Sequence, residues 1–218
     1  MKDVINFLQL LESNNNREWF TENKKLYEEA RHHFETVLSS IIVGISVFDG
    51  SVGLPSAKES MFRIYRDVRF SKNKLPYKTN MGGFVSPGGR KAIKSGYYVH
   101  IEPGKSFLGG GIYMPDPEVL KKIRQEIYFN AGEFVKIITQ RDFRKVFGEL
   151  SREDMLKRPP KDFPADFPDI ALLLYKSYVV GHSLTDAEVV AGDFTVKAIE
   201  IFKTMKPLHD FLNRAIEQ

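Results

Sequence analysis

The sequence predicts a single α+β domain over residues 1–218, with helices flanking a mostly antiparallel sheet. Three observations carry this. Apolar residues recur at intervals of three and four through the first fifty positions, and the period falls to two between Phe62 and Phe70. Two alternating runs, GYYVHIE and SFLGGGIY, then meet at Pro103 and Gly104 as a hairpin. With 218 residues, 42% of them hydrophobic, the chain is long enough to bury a substantial core.

In chain order, Asp3 caps a short helix with Val4, Phe7, Leu8 and Leu11 on one side, and the run of asparagines at 14–16 ends it. Asn16 is placed to cap one long second helix whose stripe is Leu26, Ala30, Phe34, Val37, Ile41 and Ile45. His32 and His33 point in different directions on it and have no partner four residues away, so they read as surface residues. Trp19 reads as packing between the two helices.

FRIYRDVRF alternates as a half-buried strand, with Phe62, Ile64, Val68 and Phe70 on one face and Arg66 stranded among them. Such an arginine needs an internal acceptor, a bend in the strand or an outside anion. The glycine- and proline-rich stretch at 71–96 reads as a long loop, or hairpin tips, beside the strand.

In the hairpin, a Pro103–Gly104 turn pairs His100 with Phe107 and Tyr98 with Gly109. Two readings stand side by side: a concave polar floor of Tyr98, His100, Glu102 and Lys105 around bare glycines, or Tyr98 and Phe107 covering glycine gaps. Beyond Tyr113, Asp116 and Pro117 start a helix, a second runs near Gly132 to Gln140, and Ser151 to Met155 suggests a short one. RPPKDFPADFP reads as a stiff loop packed through Phe163 and Phe167, and Tyr178 to His182 as a strand. Thr185 and Glu188 form a capping box, and the last forty residues read as helices broken at Pro207.

Charge is the least ordinary feature. The chain carries +4 overall, yet between Arg63 and Lys94 nine bases face Asp67 alone, a local balance of +8 that leaves −4 for the rest. Positive charge concentrated in this way points to a site for an anion, since a general nucleic-acid binder is basic over a wider surface. Guanidinium groups offer paired donors to phosphate or carboxylate oxygens, and ammonium groups add compact charge. The candidate anion-binding set is Arg63, Arg66, Arg69, Lys72, Lys74, Lys78 and Asn80, on a strand and loop at 63–80. Solvated side chains paired with ordinary acids are the plain alternative.

Other chemistries find less support. The absence of cysteine removes thiolate nucleophiles and thiolate metal sites, and fits a reducing, cytoplasmic setting. No phosphate-loop motif, GxSxG or HExxH occurs, and the five histidines are scattered, so no metal or other cofactor is expected. No run approaches the roughly 20 apolar residues of a membrane span. An enzymatic reading recruits His100 with Glu102 and Tyr98 as a proton-handling group, though a histidine and glutamate two apart on a strand are more often a satisfied polar face.

Four stretches carry a resemblance: NNNREWFTENKKLYEEA, FRIYRDVRFSKNKLPYKTNMGG, GYYVHIEPG with GGGIYMPDPEVLKKIR, and KPLHDFLN. Together they resemble the domain of unknown function family 2461 over nearly the whole chain. The resemblance implies a soluble α+β domain of about this length, mainly bacterial, and brings no activity or cofactor with it. The expected function is therefore binding of a small phosphate- or carboxylate-bearing ligand, with catalysis on it as an extension. Nucleic-acid association through the same cations is the alternative, and a structural or protein-interaction role a third.

Overall fold

A four-stranded antiparallel meander forms the spine of the computed structural model, which describes residues 1–218. Its strands β1 (Met81–Val85), β2 (Gly96–Ile101), β3 (Ser106–Ile112) and β4 (Tyr178–Leu184) pair in chain order. Nine α-helices surround it: α1 (Lys2–Ser13), α2 (Arg17–Glu22), α3 (Lys24–Phe48), α4 (Ala57–Ser60), α5 (Pro117–Phe129), α6 (Ala131–Thr139), α7 (Arg141–Phe147), α8 (Asp186–Val190) and α9 (Phe194–Glu217). The protein is thus an α+β fold with an antiparallel sheet. No helix is long and apolar enough to cross a membrane.

One face of the sheet is the core face. Val99, Ile101, Leu108, Ile112, Tyr178 and Val180 are buried in a contiguous cluster of 46 hydrophobic residues with the apolar stripes of α1, α3, α5 and α9. Helices and sheet approach closely at two glycines. A Cβ at Gly83 would lie 2.5 Å from Leu38 of α3, and one at Gly110 would lie 2.6 Å from the Met205 sulfur of α9. These glycines let the backbone sit directly on the helix side chains.

Most local signals for turns and caps hold, but Asp3 lies within the first turn of α1, which starts from Met1 without a side-chain cap. Lys105 N–H donates to the Glu102 carbonyl across the Pro103–Gly104 turn, Asp116 caps α5 over Pro117, and Thr185 and Glu188 form the capping box of α8. Asn16 caps a helix, but α2 ends after one and a half turns and Asn23 separates it from α3. The Asn23 amide donates to the Trp19 carbonyl, supporting the break. The buried stripe of α3 is consequently Ala30, Phe34, Leu38, Ile41, Ile42 and Ile45, with Leu26 exposed.

Other expectations need correction. The segment 62–70 forms no strand. It is tied to the following segment by two isolated bridges, Met61 with Gly83 and Tyr65 with Tyr77, and six residue steps on one side face four on the other, so no regular ladder can form. Phe70 is 95% exposed instead of sharing a buried face with Ile64. Conversely, β1 lies inside the stretch read as a loop or hairpin tips, where it forms a hairpin with β2. Residues 151–155 form turns in place of a helix, because Ser151 N–H donates to the Val179 carbonyl and holds the segment beside β4, while an additional helix, α7, precedes it.

Helix α9 runs unbroken through Pro207. The proline lies on the exposed side, where water can satisfy the carbonyl that loses its partner, while Met205, Leu208, Phe211 and Leu212 are buried on the other. Packing of that apolar face outweighs the one missing hydrogen bond.

A buried polar knot ties α9 to the start of β2. The Ser95 hydroxyl lies 2.6 Å from His209 Nδ1, and the Asn213 side chain accepts from Ser95 N–H and donates to the Ser95 carbonyl. His209 is 1% exposed, its Nε2 has no partner, and its ring meets Tyr97 edge-on at 4.3 Å. The Tyr97 hydroxyl donates in turn to the buried Asp49 carboxylate. This knot fixes the end of the 86–95 loop, which walls the cavity described next.

Candidate functional site

Alternation places Gly82 and Phe84 of β1, Tyr98 and His100 of β2, Phe107, Gly109 and Gly111 of β3 and Gly181 of β4 on the sheet face away from the core. The strand register makes two rows across the sheet, Gly82–His100–Phe107–Ser183 and Phe84–Tyr98–Gly109–Gly181. His100 is opposite Phe107 and Tyr98 opposite Gly109, the pairing the Pro-Gly turn demands. Above this face lies a cavity of about 880 Å³, walled by the 86–95 loop, residues 112–116 and residues 151–153.

Both hairpin readings prove partly right. Tyr98 leans over Gly82, where a Cβ would lie 2.7 Å from the phenol oxygen, and Phe107 leans over Gly109 at 3.2 Å. Gly181 is open, with nothing within 4 Å of a Cβ built there, and Gly111 has a φ of 117° that a side chain would strain. The floor is therefore bare at Gly181 of β4, while rings cover Gly82 of β1 and Gly109 of β3.

A chain of polar groups runs along β2. Tyr98 Oη lies 3.0 Å from His100 Nδ1, and His100 Nε2 lies 3.0 Å from Glu102 Oε2. The Asn80 amide nitrogen is 3.2 Å from the same Nδ1, the Thr79 hydroxyl donates to Glu102 Oε1 at 3.1 Å, and the imidazole stacks on Phe107 with centroids 4.7 Å apart. With Glu102 ionised, Nε2 carries the proton that faces the carboxylate, leaving Nδ1 as acceptor for the Tyr98 hydroxyl or the Asn80 amide.

Burial pushes the Glu102 carboxyl up, but hydrogen bonds from His100 and Thr79 and the Lys105 charge outweigh it and hold the group below its usual range. Tyr98 is pushed up to about 12, first by burial and then by the Glu102 charge, so it is a protonated phenol at neutral pH. The arrangement can accept a proton at the phenol oxygen while passing the phenol's own proton to His100, with Glu102 stabilising the imidazolium that forms.

The basic cluster divides. Lys78 and Asn80 line the cavity, as do Arg90 and Lys94 from the following loop. The Lys78 ammonium and the Arg90 guanidinium sit 5.5 and 4.9 Å from the centre of the Phe62 ring. Burial first, and then the charges of Arg63 and Arg90, lower the Lys78 pKa. None of Arg63, Lys78 and Arg90 is in an ion pair; Arg90 Nε donates to the Glu59 carbonyl, and Lys94 alone has an acid, Glu217 at 2.7 Å.

The remaining five cations of the set do not line the cavity, and of these Arg63 is exposed outside it. Arg66 donates to the Leu75 carbonyl and the Ser71 hydroxyl, so the arginine stranded in the alternation is satisfied within its own loop. Arg69 is paired with Asp67, which lowers the Asp67 pKa through that hydrogen bond. Lys74 donates to the Val68 carbonyl and borders a separate open cleft of about 570 Å³ with Asn15 and Asn16, and Lys72 is exposed.

The sequence reading missed Phe62 as the platform for two cations, and it missed the far rim. There Ile93, Tyr113 and Met114 are exposed apolar side chains, and Asp116 and Glu153 supply acids at the opposite end of the strands from Lys78. Only Asp116 had a signal, as the cap of α5.

The fold and this face define a class: a single-sheet α+β protein with an open, glycine-floored cavity that is cationic at one corner. More particularly, the chain belongs to the family described as conserved hypothetical protein (DUF2461), whose model matches residues 3–211 of the 218. No curated protein and no solved structure matches the chain.

Proposed function

We propose that the protein binds a small phosphate- or carboxylate-bearing ligand in the cavity above the sheet, with the anionic group held by Lys78 and Arg90. The observation that carries this is the crowding of Lys78 and Arg90 over the Phe62 ring, within range of the Arg63 charge and with neither of the two in an ion pair. Like charges brought together and partly desolvated are costly until a negative group joins them, and charge-assisted hydrogen bonds to a ligand would reverse the depression of the Lys78 pKa.

The rim favours a small anion over nucleic acid. Asp116 and Glu153 border the same cavity, so a polyanion crossing it would meet carboxylates after leaving the cations. A second reading, catalysis on the bound ligand, is favoured by the Tyr98–His100–Glu102 chain opening on the same floor. The setting we assign is the cytoplasm, where phosphorylated and carboxylated metabolites abound.

A thermal-shift panel tests the proposal. Inorganic phosphate, sugar phosphates and dicarboxylates are compared with arbitrary single-stranded oligonucleotides at two salt concentrations. A rise in melting temperature with a small anion supports it, and the rise must vanish in Lys78→Met/Arg90→Met. Steeply salt-dependent binding of oligonucleotides, with no small anion active, contradicts it.

A further inference from the structure

We infer that the Tyr98 hydroxyl is the third donor of the anion corner, turned to the ligand when Asn80 takes its place on His100, and that the group bound there is a phosphate monoester. This rests on the anion reading above and adds a further binding residue and the identity of the charged group.

His100 is offered more donors than it can accept. Glu102 is ionised and faces the proton on Nε2, so the neutral imidazole has one lone pair, on Nδ1. Two donors reach it, the Tyr98 hydroxyl at 3.0 Å and the Asn80 amide at 3.2 Å. One lone pair serves one of them well, and the other is in surplus. Both side chains line the cavity. The phenol can turn its O–H about the bond to the ring without moving the ring. Burial and then the Glu102 charge push Tyr98 up to about 12, so it keeps a proton to donate at neutral pH. A charged oxygen is a stronger acceptor than a neutral imidazole nitrogen. The exchange, Tyr98 to the anion and Asn80 to Nδ1, is therefore favourable and leaves Nδ1 satisfied.

The hydroxyl stands on the same side of the sheet as the cations. A Cβ at Gly82 would lie 2.7 Å from the phenol oxygen, and the Gly82 carbonyl accepts from Phe62 N–H at 2.9 Å. The Phe62 ring meets the Tyr98 ring edge-on with centroids 6.0 Å apart, and it carries Lys78 and Arg90 at 5.5 and 4.9 Å. Both cations are thus one ring away from Tyr98. Two cations and one neutral donor suit a doubly charged group that offers each of them an oxygen. A phosphate monoester does so above its second pKa of about 6, whereas a carboxylate brings one charge and two oxygens.

Isothermal titration of the full chain at pH 8 with methyl phosphate and acetate tests this, on the native chain, Tyr98→Phe, Asn80→Ala and the double variant. Methyl phosphate should bind the native chain at least about tenfold more tightly than acetate. Tyr98→Phe should weaken methyl phosphate about tenfold, the loss of one hydrogen bond to a charged group, and should still melt cooperatively. Phenylalanine keeps the ring over Gly82, and Asn80 keeps Nδ1 satisfied. Asn80→Ala leaves the hydroxyl tied to His100, so it should weaken methyl phosphate several-fold in the native background and change little in the Tyr98→Phe background.

Unchanged affinity for methyl phosphate in Tyr98→Phe overturns the inference and leaves the anion reading intact. A Tyr98→Phe chain that no longer melts cooperatively also overturns it, because the hydroxyl would then be structural. Additive losses in the double variant give Asn80 a ligand contact of its own and overturn the exchange. Acetate bound as tightly as methyl phosphate overturns the phosphate assignment, and absence of binding by both overturns the anion reading as well.

Discussion

Lowering the pH should weaken the fold through His209 in particular. The imidazole is 1% exposed, and burial, which outweighs the favourable Asp49 charge and is reinforced by Lys206, pushes its pKa down to about 3 from 6.5. The native state keeps His209 neutral, whereas the unfolded chain takes up a proton below about pH 6.5, so the stability is present above that pH and is lost as pH falls towards 3. At about 1.4 kcal/mol per pH unit over that window, the loss from pH 7 to pH 5 is about 2 kcal/mol.

Urea unfolding at both pH values, on the native chain and on His209→Asn, measures it. Asparagine keeps an acceptor near the Nδ1 position for the Ser95 hydroxyl and does not titrate. The native chain should lose about 2 kcal/mol more than the variant between the two pH values. An equal loss in both proteins refutes the reasoning, because it would assign the acid sensitivity to other groups.

Three further outcomes follow from the same geometry. Gly110→Ala should destabilise by about 1–3 kcal/mol in chemical denaturation, since the new methyl would lie 2.6 Å from Met205 and 2.9 Å from the His209 ring, which the knot with Ser95 holds in place. Phosphate binding should weaken on going alkaline earlier than an ordinary lysine would allow, and should be accompanied by proton uptake there, because burial, Arg63 and Arg90 lower the Lys78 pKa and a bound anion raises it again; calorimetry in buffers of different ionisation enthalpy detects the proton. Arg69→Ala removes only an exposed pair with Asp67, and should leave the melting temperature and the phosphate affinity unchanged within error.

The parts of this structure that were legible in the sequence are those decided by near neighbours. The hairpin register follows from Pro103, Gly104 and a two-residue alternation, and the caps of α5 and α8 from Asp116 and the Thr185–Glu188 pair. Strand β1 was hidden because MGGFV spends two of its five positions on glycines, whose places are taken by Leu38 on one face and Tyr98 on the other. Pro207 misled because its effect depends on which side of α9 it occupies.

The candidate site was half legible for the same reason. Counting charges located the basic stretch, but a count does not say which way each side chain turns. Arg66 and Lys74 turn inward to carbonyls of their own loop, Arg69 finds Asp67, and only Lys78 and Asn80 turn to the cavity. Arg90, Gly181 and Met114 join them through contacts between segments far apart in the chain, for which no local pattern exists.

The central claim, an anion held by Lys78 and Arg90, is tested most directly by titrating inorganic phosphate into the native chain and into Lys78→Met/Arg90→Met by calorimetry. The account predicts saturable 1:1 binding to the native chain and at least a tenfold loss in a double variant that still melts cooperatively. Equal affinity in the two proteins, or no binding to either, would contradict it.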